Sequence, residues 1–566
     1  MTPPALARPP RLMRARQRPT RMLVQLVTLQ LCARTAAALG GPALPPKLRA
    51  IEQSLRGAHD AKAAFRTEEL FRGCDREQLA PAPATVARGA VPGDLRGAIL
   101  RNGPNARPWG SGGGWLDGDG MVHAVVLGDE GATYSRAWLR TAAFAKEEAA
   151  GPGKLFDGSL VAPQGFKLLV NLAKNFANAL QPQKDTANTA LVALADGRCL
   201  GLMEQCKPCE FRISSDGTLE TLAAGSTLGG GIEFGPHPLS GGALTAHFHG
   251  DPVTEELVGV TYSSTSQPYG RVDFLDSRTG EITRTIGVDM RSPVMLHDSA
   301  ISRKHVIILD LPLTVRPARM LLDRFPVEYE PDFGARLGLT SRETGETRWV
   351  DVEPGVVLHT VSAHENDDGA TVLRALRSLP DTPTSFIGAY TPAFLYEWVV
   401  DGDACVRERY LSSVPVEFPA IDPRCVGSAA PCAYAIRPRT IGGPNRYGPP
   451  AEGILIDAVV KFDLSDLHDD DAATSDADCV AAEWVAPAGY FVVSEPSVVP
   501  KRGGRPGDGA YVLVFVTNVH DDGETRDSKL VVLDGDALAE VCELDLPNDV
   551  PYGLHSAWVD WADLAH

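Results

Sequence analysis

The chain is short of most features that would place it outside the ordinary globular class. Cysteine is sparse, with 10 in 566 residues. That is too dilute for a disulfide framework, and a chain of this length buries a core without staples. The lone CxxC, Cys206-Lys-Pro-Cys209, has no second pair to complete a zinc site, and Cys199 stands out of register with it. These thiols read as buried and incidental. No HExxH metal motif occurs. The apolar run at 22–33, MLVQLVTLQLCA, is too short for a bilayer-spanning helix, which needs about 20 residues. The net charge of −18 lacks the basic field of a nucleic-acid binder.

Acid, in turn, is missing from the N-terminus. No Asp or Glu precedes Glu52, while eight Arg and Lys47 lie in residues 1–50. Taking those nine positive charges from −18 leaves −27 for residues 51–566. A basic, acid-free leader on an acidic body reads as a targeting presequence at 1–50 before one domain at 51–566. The leader has no Ser, unlike a plain plastid transit peptide, and Arg34 interrupts the junction of a simple signal peptide. A signal-plus-transit presequence uses both the apolar run and the Ala-rich stretch 33–38. Import into a plastid is the expectation, with the secretory pathway as the alternative.

What the body does contain is turn formers: 55 Gly and 44 Pro without a collagen-like period. Between them lie short apolar, β-branched runs at 256–264, 270–288, 305–313, 393–401, 453–465 and 510–519. Segments 270–288 and 529–547 share one strand–turn–strand plan. Antiparallel units repeated over most of the chain, with no clear linker, point to a β-propeller. A row of β-sandwiches is the alternative, and it would need linkers. Two segments break the pattern. Residues 165–180, GFKLLVNLAKNFANAL, place apolar residues on one face at helical spacing, flanked by Lys167 and Lys174. They read as a cap helix or as a helix that lies on a membrane surface. Residues 466–480 are acidic and small, and read as a solvated loop. They lack the spacing and Gly of a calcium loop.

Of 13 His, four sit at strand-like positions. They are His247 in LTAHFHGD, His297 in MLHDSAI, His359 in VVLHTVSAHEND and His555 in VPYGLHSAW. Their separations of 50, 62 and 196 residues suit one ligand per propeller blade. Singly, each reads more readily as a satisfied core or surface histidine than as a ligand.

The motif contexts carry a resemblance. LRGAILRNGPNARP (95–108), GGGWLDGDGMVHAVVL (112–127), NTALVALADGRCLGLMEQCKPCEF (188–211), VEFPAID (416–422) and SEPSVVP (494–500), with the four His contexts in order, resemble the carotenoid cleavage oxygenases. The likeness runs from about residue 80 to residue 560. It implies an all-β fold, a seven-bladed β-propeller with a helical and loop cap over an axial iron. Carried over by motif, His247, His297, His359 and His555 are the Fe(II) ligands. Glu204, Glu417 and Glu495 anchor the ligands' second nitrogens, leaving one imidazole without a carboxylate. Imidazole suits Fe(II), and a ligating His needs its other N–H held.

The activity implied is oxidative cleavage of a C=C bond in a carotenoid or apocarotenoid, with O₂ as co-substrate and contact with a membrane. A stilbene-cleaving enzyme, a retinoid isomerase and a non-catalytic lipid-binding propeller are the alternatives. The stilbene reading needs a phenol-activating Tyr and Lys in the cavity; Tyr134 is available, but the sequence places no Lys beside it. An apolar cavity is expected, with Phe325, Phe394, Tyr396, Trp398, Phe418 and Trp558 as candidate lining. His123, His249, His364, Asp117 and Asp119 stay outside the ligand set, and Glu365 has no assigned role. Phe248, His364 and Ser556 depart from the family pattern, at positions that could shape the cavity.

Overall fold

The computed structural model describes residues 44–105, 116, 118–151, 155–156, 165–176, 184–204, 206–221, 244–264, 266–380, 390–444, 452–465, 467, 478–507, 509–522 and 525–566. The fold is an all-β, propeller-like assembly with few helices. Five four-stranded antiparallel sheets follow one another along the chain. The first runs from Ala190–Ala193 to Leu219–Thr221. The second runs from Phe248–Asp251 to Ile282–Val288. The third runs from Ala300–Ile301 to Thr347–Val352. The fourth runs from Val356–Glu365 to Ala404–Pro415. The fifth runs from Glu417–Ala420 to Val480–Val485.

An 11-stranded sheet combines both ends of the chain. The early strand Gln78–Gly89 lies between Ala539–Asp545 and Gly131–Trp138. Gly97–Arg101 pairs with the last strand, Ser556–Asp560. Stitching first strands to last ones closes the assembly and leaves fewer free sheet edges.

The sequence pattern explains the layering. Central strands are covered on both faces by neighbouring sheets, so they are continuous apolar runs. Nine of the ten residues of Ala510–Val519 are buried. Outer strands alternate instead: Ile282–Val288 buries every second residue more deeply than its neighbours. The first strands of the second, third, fourth and fifth sheets touch one another in turn, and Ser556–Asp560 touches the first strand of the first sheet. The innermost strands therefore face a common axis.

Three helices lie where the sequence reading has none: Pro46–Gly57, Ala61–Phe71 and Ala142–Ala150. Leu44 and Leu48, within the stretch read as leader, are buried against Leu379 and Phe394. The packed body therefore includes residues 44–50. The helix expected at 165–180 is present as Gly165–Phe176, and 177–180 lie outside the described residues. So does most of the acidic segment 466–480, and so do residues 1–43 of the leader.

Candidate metal centre

Four imidazoles converge from elements far apart in the chain. His247 directly precedes the strand Phe248–Asp251, and His297 lies just before Ala300–Ile301. His359 is inside Val356–Glu365, and His555 directly precedes Ser556–Asp560. Each sits on or beside an innermost strand of a different sheet. One nitrogen from each ring lies within 4.8 Å of the other three. His247 Nε2 and His297 Nε2 are 3.0 Å apart. Gly259 makes one approach possible. It pairs with Phe248, and a Cβ there would lie 2.5 Å from Thr245 Cγ2 and 2.9 Å from the His247 carbonyl.

Three carboxylates hold the outer nitrogens. Glu204 accepts from His297 Nδ1, and its other oxygen accepts from Tyr262 Oη at 3.2 Å. Glu417 Oε2 accepts from His359 Nδ1 at 2.7 Å and from the Phe418 amide at 3.1 Å. Glu495 accepts from His555 Nδ1 at 3.2 Å and from the Ser556 amide at 3.0 Å. Among the described residues no carboxylate reaches His247. Holding Nδ1–H on a carboxylate leaves the Nε2 lone pair free for a ligand. His359 Nε2 is buried and has no hydrogen-bond partner. A buried acceptor facing three other imidazoles is costly unless something fills the gap. Nitrogen donors of this kind fit a divalent transition metal, Fe(II) included.

Burial pushes the His247 imidazole well below its ordinary range, and His555, His297 and His359 add to the effect. His555 is also lowered by burial, with Glu495 opposing. Burial acts the same way on His359, but the Glu417 carboxylate outweighs it and raises that group. His247 and His555 are thus held neutral, the form that binds metal.

Phe418 follows Glu417 with a left-handed backbone, φ 52°, which is strained for a bulky residue. The strained residue lies at the imidazole cluster: its ring sits 5.2 Å from that of His359 and 5.1 Å from that of His555.

A cavity of about 790 Å³ borders this centre, with His247, His359 and His555 in its wall. The described wall is mixed, not apolar as expected. Ile301, Val361 and Ile421 alternate with Asp298, Thr360 and Ser362, and Arg424 and Lys501 also line it. Inner strands present both residue types because successive side chains point to opposite faces and bends expose some of each.

Of the aromatic candidates, Trp558 lines the cavity and Phe418 packs on the imidazoles. Phe394, Tyr396 and Trp398 do not line it. They belong to the third strand of the fourth sheet, covered on both edges and buried. Phe325 packs with Val315, Val327 and Tyr329. Tyr134 is wholly buried, 2.8 Å from His123 Nδ1, and is not part of the cavity wall. Asp119 is ion-paired with buried Lys184 at 2.7 Å, and Asp117 lies outside the described residues. Glu365 caps a turn, accepting from Ser302 Oγ at 2.5 Å and from the Lys304 amide at 3.3 Å. His364 Nδ1 is buried without a partner. Cys199, Cys206 and Cys209 are buried, and burial pushes Cys209 up to about 12.

The sequence reading missed Asp298. This buried carboxylate accepts from His249 Nε2 at 2.7 Å and from Thr360 N and Oγ at 2.8 and 2.9 Å. Burial alone would raise it, but His249 and the Thr360 amide hold it well below the carboxylate range. Its only sequence signal is adjacency to His297.

The fold and the site together define a propeller-like protein whose clustered imidazoles, three of them backed by carboxylates, could hold a metal ion. The family model described as retinal pigment epithelial membrane protein matches residues 71–560, and the chain belongs to that family. It is 28% identical over 512 residues to carotenoid 9,10(9',10')-cleavage dioxygenase 1 of Arabidopsis thaliana, covering 86% of this chain and 88% of the relative. It is 29% identical to the probable carotenoid cleavage dioxygenase 4, chloroplastic, of the same plant, covering 86% and 80%. Among solved structures, a mutant of the Synechocystis apocarotenoid oxygenase superposes with a TM-score of 0.68 at 22% identity, covering 88% and 98%. The Pseudomonas brassicacearum lignostilbene dioxygenase superposes with a TM-score of 0.66 at 20% identity, covering 86% and 96%.

Proposed function

We propose that the chain is an Fe(II)-dependent dioxygenase that cleaves a C=C bond of a carotenoid or apocarotenoid, yielding two carbonyl products. The observation that carries this reading is the four-imidazole cluster with carboxylates on three of its outer nitrogens. His247, His297, His359 and His555 would hold the ion. Glu204, Glu417 and Glu495 would orient three of them and raise their basicity. Ferrous iron, when bound, supplies the electron density that activates dioxygen toward a polyene. The protein's own part is positional. Phe418 wedges against two of the imidazoles, and the inner-strand wall sets which bond of a long substrate lies beside them. Family membership and the plant relatives' names support the substrate class.

The same reading divides the 11-stranded sheet into two blades joined through Gln78–Gly89, which makes seven, with helices and loops as the cap. It also assigns a membrane contact. Phe166 is 79% and Leu169 53% exposed. Their helix touches the turn Pro317–Leu322, where Leu321 and Leu322 are exposed too. Such a patch suits shallow insertion into a lipid surface that supplies a greasy substrate. Among the described residues no helix is long and apolar enough to cross a membrane. The chloroplastic relatives and the basic leader support a plastid address. The stilbene reading loses its tyrosine, because Tyr134 is away from the cavity.

The test is iron analysis of the purified protein, then oxygen uptake and product masses with a panel of carotenoids and apocarotenoids. The expected result is bound iron and paired carbonyl products containing both atoms of O₂. Protein without iron, or iron-loaded protein that consumes no oxygen with any polyene, would overturn the proposal.

A further inference from the structure

We infer that Asp298 is a positioning residue for the metal centre, acting on His247 through His249. This rests on reading the four imidazoles as ligands. His247 is the one member of the cluster that no carboxylate touches among the described residues. Two residues further on, His249 donates from Nε2 to Asp298 Oδ1 at 2.7 Å. The same oxygen accepts from the Ser299 amide at 2.7 Å. Oδ2 accepts from the Thr360 amide at 2.8 Å and from Thr360 Oγ at 2.9 Å. Thr360 Oγ shares its single proton with the Ser299 carbonyl, 2.8 Å away.

A carboxylate has about four acceptor positions, and all four of these are used. The residue is 4% exposed, so the bonds form where water does not compete. Their partners are not random. His249 is two residues from His247, Asp298 adjoins His297, and Thr360 adjoins His359. One buried group therefore ties together the innermost segments of three consecutive sheets, each beside a ligand. The fourth segment has its own clamp, since Glu495 binds both His555 and the Ser556 amide. Asp298 thus fixes the spacing of His247, His297 and His359 and substitutes for the carboxylate that His247 lacks.

The test uses the full chain stripped of metal and titrated with Co(II), whose visible absorption reports ligand geometry. Asp298→Asn keeps the shape but turns an acceptor into a donor. His249→Phe keeps a ring and removes the N–H. Each should weaken Co(II) binding by about 10–100-fold and alter the Co(II) spectrum, with circular dichroism unchanged. The double variant should be no weaker than Asp298→Asn alone, because both act along one route. Wild-type affinity and spectrum in either single variant would overturn the inference. So would a double variant weakened by the product of the two single effects. If Asp298→Asn fails to fold, His249→Phe alone decides by the same criterion. A wild-type chain that binds neither Fe(II) nor Co(II) would overturn the ligand reading itself, and this inference with it.

Discussion

Glu417 gives the sharpest handle on the proposed centre. Its Oε2 holds His359 Nδ1 at 2.7 Å and the Phe418 amide at 3.1 Å, and Glu417 and His359 are 8% and 7% exposed. In Glu417→Gln an amide oxygen can still accept both bonds, so what disappears is the charge. A hydrogen bond to a charged acceptor exceeds a neutral one by about 1–1.5 kcal/mol, or roughly tenfold. The lost basicity of His359 extends this to about 10–100-fold in metal affinity. Glu417→Ala removes the acceptor altogether and leaves two buried donors, each costing about 1–3 kcal/mol. It should therefore bind metal more weakly still and melt at a lower temperature. The assay is Fe(II) or Co(II) titration of the metal-free protein, followed by oxygen uptake of each variant at saturating metal. If both variants match wild type in affinity and rate, Glu417 does not orient a ligand and the assignment is wrong.

Other consequences are equally direct. His297→Ala should lower iron content to background and abolish oxygen uptake while the circular dichroism spectrum stays that of the parent. His364 is lowered from 6.5 to about 4 by burial and by Arg374. The unfolded chain therefore binds the extra proton first, and stability falls as pH drops from 6.5 toward about 4. His364→Phe should remove that loss, worth at most about 3 kcal/mol, seen as a flatter dependence of melting temperature on pH. A variant no more acid-stable than the parent would refute it. Replacing Phe166 and Leu169 by Gln removes two side chains worth about 1.5–3 kcal/mol each in an apolar phase. Vesicle binding should fall by at least about 100-fold with metal affinity untouched, and sedimentation with liposomes checks this.

Much of the strand inventory is legible in the chain itself. The run at 510–519 is a strand over those same residues, and 453–465 and 393–401 match Glu452–Asp463 and Phe394–Asp401 within two residues. Local apolarity and turn chemistry suffice there, because a central strand is buried on both faces. They fail for Ala61–Phe71, which has few periodic apolar residues. It gains its stability by packing on the strands Cys432–Pro444, Glu452–Asp463 and Ala510–Val519.

The candidate site divides in the same way. That His247, His297, His359 and His555 sit in motif contexts matching a family, with Glu204, Glu417 and Glu495 to accompany them, is readable in the chain alone. Which carboxylate meets which imidazole emerges in the folded molecule, because those partners are 58–93 residues apart and their pairing depends on how the sheets close. It also removed Tyr396 and Trp398 from the cavity. Alternation along a strand tells that a residue is buried, not whether it faces a neighbouring sheet or the axis. Asp298 shows the difference most plainly. In sequence it is an acid beside a histidine. In the fold it joins three inner segments through bonds to partners 49 and 62 residues away, a role that no local pattern encodes.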